Sequence, residues 1–331
     1  MWWPEMALPE TVKRVLPWVG SGVLVAYMAM TTDLMGVADA LESVDAVLLG
    51  LLLVIGTLIA FFTDTIGVAM GFSAFVAPVT FREAIPIKAT SYFLNVLNYN
   101  AALAGMAFYL NRSRNVGFWR ALGALMFVNV VDLLGVLLLL SLGMVITLGT
   151  ETFSPGLGFT LRAIAWGGLA GFVAGALWFR SDLPLPVFGR LRTKALFLPI
   201  REASLGTWSR LLAARLLLQG QYLLVAYALL VLFGVEVPFQ RLLAYVPVLT
   251  FIQIVPISIS GIGTTQIAAR QFYGPYVVAA GRSPLAVVDA CTTTGIVGFL
   301  LLRVILAYFF LGELSRDIIR KGADVPEEPA S

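Results

Sequence analysis

Asp132 and Asp289 each close a Val-Val-Asp triplet set in a long apolar run, and Arg270 lies between two further apolar runs. Ionisable side chains at bilayer depth are costly, and where they occur they commonly serve a substrate path, an ion path or a partner charge. Two chemistries fit them: a carboxylate acting as an intramembrane base, or charges that hold a polar headgroup. A helix cap or a buried pair with an Arg is the structural alternative for both acids. A third polar group is the stretch PISISGIGTTQ (256 to 266), with Ser258, Ser260, Gly261, Gly263, Thr264 and Gln266. Its glycines, followed by a helix start with unpaired N–H groups, could accept an anion such as a phosphate. A Ser/Gly turn that only reverses the chain is the alternative. Asn95, Asn98 and Asn100 form the fourth group. Asn95 and Asn98 are one helical turn apart and could offer amides to headgroup oxygens or join neighbouring helices.

Other chemistries are removed by composition. The 331 residues include no His and one Cys, Cys291. That leaves no imidazole or paired thiols for zinc, haem or iron–sulfur sites, and no His-based acid/base catalysis. No acidic pair is helically spaced within an apolar run, so neither a metal nor another cofactor is expected. There is no GxxxxGK[ST] motif, and coupling would come from an ion or lipid gradient. The chain is expected not to be an enzyme; a lipid-modifying transferase using Asp132 or Asp289 as base is the minor alternative. A non-transporting assembly or scaffold protein is another. Membrane phospholipids or polyprenyl-linked lipids are the expected partners, nucleic acid is not one, and a homo-oligomer stays open.

The elements that must carry these residues are membrane helices. Only 12% of the residues are charged and 59% are hydrophobic, against about a quarter charged in an average soluble domain. The fold class expected is all-α: a polytopic helical membrane protein with about six full crossings plus two interrupted, re-entrant hairpins in inverted repeats. Crossings are predicted at about 12 to 31, 44 to 63, 118 to 149, 160 to 180, 206 to 234 and 284 to 312, each long enough at ~1.5 Å per residue. The regions 81 to 111 and 239 to 280 are apolar but broken by polar or helix-breaking residues. Residues 64 to 79 read as an interfacial segment, and Thr80 with Glu83 as a capping box opening the next helix.

A repeat supports this plan. VTFREAI (79 to 85) and VPFQRLL (237 to 243) each lead through an interrupted region to a Val-Val-Asp triplet at nearly the same offset. Repeat 1 spans about 79 to 149 and repeat 2 about 237 to 312, within one transmembrane domain (1 to 320). Two crossings between them invert the second copy, the plan of many transporters. Residues 321 to 331 read as a disordered cytoplasmic tail.

Lys and Arg concentrate between Arg180 and Arg215, around Arg112, Arg114 and Arg120, and at Arg316, Arg320 and Lys321, whereas ADALESVD (38 to 45) and residues 150 to 160 hold none. With the basic loops inside, both termini are cytoplasmic, in a bacterial-type inner membrane. A cleaved signal peptide is not expected, because the first apolar run lacks a small-residue cleavage site. Residues 189 to 208 read as an amphipathic stretch on the anionic leaflet. Arg162 and Arg282 read as snorkelling to the interface, and Arg303 as a further cation able to draw in an anionic headgroup.

The segment PISISGIGTTQ resembles the Pro-x-Ser-x-x-Gly-x-Gly-x-x-Glu signature of the lysylphosphatidylglycerol synthase transmembrane (flippase-like) family. SYFLNVLNYN and AALAGMAFYLNRSRNVGFWRALGALMFVNVVD resemble that family's upstream blocks. Pro256, Ser258, Gly261 and Gly263 match the signature, Asn98 the family's Asn, and Asp132 the Asp closing the second block. Gln266 stands where the family carries Glu, and Val128-Asn129 where it carries Glu-Arg. The resemblance implies translocation of lipid or lipid-linked headgroups. The candidate substrate-binding residues, about a polar cavity between the two interrupted hairpins, are Asn95, Asn98, Asn100, Asp132, Ser258, Ser260, Gly261, Gly263, Thr264, Gln266, Arg270 and Asp289.

Overall fold

The computed structural model describes residues 33–97, 99–147, 155–181, 194–254, 263–278 and 281–323, and the crossing predicted at 12 to 31 lies outside them. Apart from one isolated bridge, the described residues are helical wherever they are regular. Helix α1 runs Leu34–Glu42, α2 Ala46–Phe75, α3 Phe81–Leu97, α4 Tyr99–Arg114 and α5 Phe118–Ile146. After α6 (Pro155–Arg162) a π-helical turn, Ala163–Gly167, leads into α7 (Gly168–Arg180). The short α8 (Leu198–Glu202), α9 (Leu205–Leu232), α10 (Phe239–Ile254), α11 (Thr264–Tyr273) and α12 (Pro284–Ala323) follow.

The helix starts are set by side chains that fill unpaired backbone groups. Asp33 and Asp45 accept N–H groups of the first turns of α1 and α2, and Ser204 does so for α9, as N-cap acceptors do. The predicted capping box opens α3: Glu83 accepts the Thr80 N–H at 2.8 Å, and the Thr80 hydroxyl accepts from Glu83 N–H at 3.4 Å.

Five helical stretches among the described residues are long and apolar enough to cross a membrane: Ala46–Phe75, Phe118–Ile146, Gly156–Arg180, Leu205–Leu232 and Pro284–Gly312. Each of the five crossings predicted within the described residues thus coincides with one of these stretches. Residues 64 to 75 correct the expectation of an interfacial segment, because they continue α2 without a break. Their polarity is offset inside the bundle: Thr65 donates to the Phe61 carbonyl, and Asp64 meets two cations.

The described ends of each interrupted region lie together. Glu83 at the start of α3 is ion-paired with Arg114 at the end of α4, which closes the base of hairpin 1. In hairpin 2 the base is closed by backbone: Glu236 N–H donates to the Tyr276 carbonyl at 2.9 Å, and Val278 N–H to the Gly234 carbonyl at 3.0 Å. Tyr245 of α10 stacks on Phe272 of α11 at 4.5 Å. The α3 and α4 helices span about 25 Å each at 1.5 Å per residue, less than the ~30 Å hydrocarbon core.

The two bases lie at opposite ends of the molecule. Helices α2 and α9 are antiparallel, since Asp64 meets Arg215 while Gly56 accepts from Gln221 and lies beside Val225. Hairpin 1 begins where α2 ends, and hairpin 2 begins where α9 ends. One apolar core packs α2, α3, α4 and α5 around Phe72, Leu110 and Leu125, and another packs α9 to α12 around Leu230, Leu242 and Val287. The stretch predicted as surface-lying bends inward at its described end: Ile200 is buried, Phe197 stacks on Phe179, and Trp208 meets Phe127 edge-on.

Candidate functional site

A charged cluster lies where α2, α3, α5, α9 and α12 meet. Asp64 of α2 takes Lys88 Nζ on one oxygen at 2.5 Å and Arg215 Nη1 on the other at 2.6 Å. Arg215 also donates Nη2 to the Asp64 carbonyl at 3.3 Å. Its side chain is only 3% exposed, whereas Lys88 and Asp64 keep 12% and 16%. Asp64 lies about 16 Å along α2 from Phe75, and Arg215 about 15 Å along α9 from Leu205, at 1.5 Å per residue.

This depth needs space cut for the guanidinium. A Cβ on Gly67, one turn beyond Asp64, would lie 1.8 Å from Arg215 Nη2 and 2.5 Å from its Cζ. Only a residue with no side chain lets the Arg215 group lie flat against α2. The cations continue around Tyr92 of α3, whose ring centroid is 5.2 Å from Lys88 Nζ and 5.3 Å from Arg303 Cζ. Such distances are within cation–π range. The Arg303 side chain of α12 also lies near Tyr222 of α9. One turn beyond Arg215 on α9, Gln219 donates Nε2 to Asp132 of α5 at 3.0 Å. Among the described residues, three cations thus stand against two carboxylates. The arrangement can hold an anion beside Lys88 and Arg303 while Asp64 fixes the first cation's position.

The predicted residues divide. Asp132 joins the cluster. Arg270 and Asp289 form a separate bidentate pair, with Nε and Nη2 donating to the two carboxylate oxygens at 2.7 and 2.6 Å. Asp289 is 2% exposed, so this pair ties α11 to α12 in the manner of the structural alternative. Gly263 starts α11 at φ +91, a left-handed region that favours glycine. Its N–H donates to Gln266 Oε1 at 2.6 Å. That cap needs an acceptor oxygen and not a charge, so Gln serves as well as Glu. Thr264 is half-buried in the same turn. Asn95 is half-buried on α3 and Asn100 is exposed on α4. Asn98, Ser258, Ser260 and Gly261 lie outside the described residues. Arg282 donates to the Ser43 hydroxyl at 2.6 Å, joining the start of α12 to the end of α1.

Asp64, Lys88, Arg215, Gln219, Tyr92 and Tyr222 were not singled out by sequence reasoning. The signal existed for three of them, since Asp64, Lys88 and Arg215 are ionisable residues within helical stretches. In the sequence Asp64 reads as the start of an interfacial segment and Arg215 as the end of a basic loop, which hides both.

A family model described as lysylphosphatidylglycerol synthase TM region matches residues 15–311. No curated protein matches the chain. The match covers both hairpins and every residue of the charged cluster.

Proposed function

The chain belongs to the lysylphosphatidylglycerol synthase TM-region family, a membrane family linked to lipid handling, and from that premise we propose that it translocates anionic lipid or lipid-linked headgroups across the bilayer. The observation that carries the proposal is the excess of cations about Asp64. Lys88 of the shorter α3, with Arg215 and Arg303 on helices that otherwise read as membrane spans, faces two carboxylates among the described residues. A phosphate entering beside Lys88 and Arg303 would gain charge-assisted hydrogen bonds in a weakly screened environment. The lipid's chains would stay among the apolar helix faces. In this reading both hairpins are re-entrant, their bases on opposite sides of a bacterial-type inner membrane and both termini cytoplasmic. The chain acts as a transporter and not as an enzyme.

The test is flipping of a fluorescent anionic phospholipid in proteoliposomes, read by quenching of the outer-leaflet dye. Lys88→Met and Arg303→Met are each expected to slow flipping about tenfold, the effect of one charged hydrogen bond worth about 1.5 kcal/mol. Leu301→Ala, on an exposed face of α12, should leave the rate unchanged. Unaltered flipping in both cation variants sinks the site. No flipping of any lipid by the wild-type protein favours an assembly or scaffold role.

A further inference from the structure

We propose that the groove between α5, the π turn with α7, and α10 is a dedicated seat for one acyl chain of a membrane lipid. The groove encloses about 240 Å³ and its lining is wholly apolar, with Leu133, Val136, Leu137 and Leu140 contributed by α5. Those four follow the i, i+3, i+4, i+7 rhythm of one helix face. Facing them are Ile164, Gly168 and Phe172 on one side and Pro247, Val248 and Phe251 on the other.

Two of the three walls are irregular at the groove. The π turn Ala163–Gly167 widens the helix where Ile164 and Gly168 line the space, and such turns recur at functional sites. On the other wall, Pro247 stands inside α10, where it cannot donate to the carbonyl one turn earlier. The helices are close elsewhere: a Cβ on Gly143 would lie 2.8 Å from the Leu243 backbone. From that contact the two helices run antiparallel, and the groove opens further along, between Leu133 and Phe251. It is a local separation in an otherwise close pair.

The occupant is set by place and chemistry. α5 and the α6–α7 stretch are both long and apolar enough to cross the membrane, so the groove lies at hydrocarbon depth. An extended, flexible apolar chain is the solute present there, and among the described residues no polar group on the walls asks for anything else. The α5 stripe also leads to the charged cluster. Asp132 lies one turn before Val136 and is the next residue to Leu133, and its carboxylate is held by Gln219. A lipid whose headgroup reaches the cluster would therefore find a track for one chain along α5. This deepens the translocase reading and rests on it for the groove's role in transport; the binding itself stands apart.

The experiment uses the full-length protein in vesicles of phosphatidylglycerol and phosphatidylethanolamine, doped with a phospholipid carrying a diazirine halfway along one acyl chain. After photolysis, labelled peptides are mapped. Labelling at Phe172 and Phe251 is expected to exceed that at Leu301 and Ile305, on the exposed face of α12, by about tenfold, which burial of two methylenes can supply. Ile164→Trp at the groove's edge should remove that excess, as should Gly168→Leu, whose side chain would enter toward Leu137, 2.8 Å from a Cβ there. Labelling at Leu301 should not change in either variant, and this reports that each is folded. Equal labelling on both faces overturns the seat, as does an excess that survives both variants. Flipping is measured on the same vesicles: groove labelling without flipping removes the translocase reading alone, and flipping with uniform labelling removes the seat alone.

Discussion

Asp64 shows how a carboxylate is kept in an apolar helix. It meets a cation on each oxygen, and the closer-packed of the two, Arg215, depends on the bare backbone at Gly67. Gly67→Ala should therefore act as though Arg215 itself had been displaced, since Nη2, Cζ and Nε would all have to move. The expected cost is about 3 kcal/mol, the lower end for breaking a buried pair, read from unfolding in detergent. A loss below a few tenths of that would mean the guanidinium can relocate freely. Glu83 is the contrasting case at the base of hairpin 1. Its acceptance of the Thr80 N–H and hydroxyl, with Arg114 nearby, holds its carboxyl below the ordinary value of 4.5. A depressed value stabilises the fold at pH above 4.5, and the contribution is lost as pH falls through the lower folded value. Glu83→Gln should then lower the melting temperature at neutral pH and converge with wild type in acid. A constant difference between the two melting curves down to about pH 3 would show that the carboxylate's charge is not what matters.

Hairpins are the elements on which the two halves differ. Both close at their base, one through a side-chain ion pair and the other through backbone hydrogen bonds. Their Val-Val-Asp acids have different partners, however: Asp289 holds Arg270 of its own hairpin, whereas Asp132 is held by Gln219 from α9. Hairpin 2 is thus pinned to α12 by a buried bidentate pair. Asp289→Asn should cost about 3 to 5 kcal/mol, because it strands Arg270 without a counter-charge. The double change Arg270→Met with Asp289→Leu should recover most of that, since an apolar pair of similar size removes both desolvation penalties. If the double variant is no more stable than the single one, as measured by denaturant midpoints, the pair contributes something beyond charge balance. The same elements show what was legible in the sequence. The crossings followed from apolar length, and the start of α3 from Thr80 and Glu83, both local signals. The partnership of Asp289 with Arg270 was open between function and structure, because spacing along the chain does not say which helix faces which. Asp64 and Arg215 were harder still: their meeting depends on α2 running unbroken past residue 64, and tertiary pairing is what makes that affordable.

At the scale of the whole molecule, antiparallel packing of α2 and α9 places the hairpin bases at opposite ends, and charge follows the same division. Arg120 donates to the Phe75 carbonyl and Arg180 to the Ala203 carbonyl, so the ends of α2 and α7 and the starts of α5 and α9 share a basic end. Asp45, Glu42 and Glu236 lie toward the other end. By the excess of Lys and Arg on cytoplasmic loops, the base of hairpin 1 should face the cytoplasm and that of hairpin 2 the opposite side. Single cysteines test this in a Cys291→Ser background, where the native thiol is buried and removed from account. Arg82→Cys and Arg112→Cys, at the two feet of hairpin 1, should react with an impermeant maleimide only after cells are opened. Glu236→Cys and Val278→Cys, at the feet of hairpin 2, should react on intact cells. A crossing helix in place of a hairpin would split one of these pairs between the two conditions, and the inverted plan would fall with it. Reversal of both pairs together would keep the plan and overturn only the orientation, because hairpin closure depends on contacts within each pair and orientation on the charge of the loops.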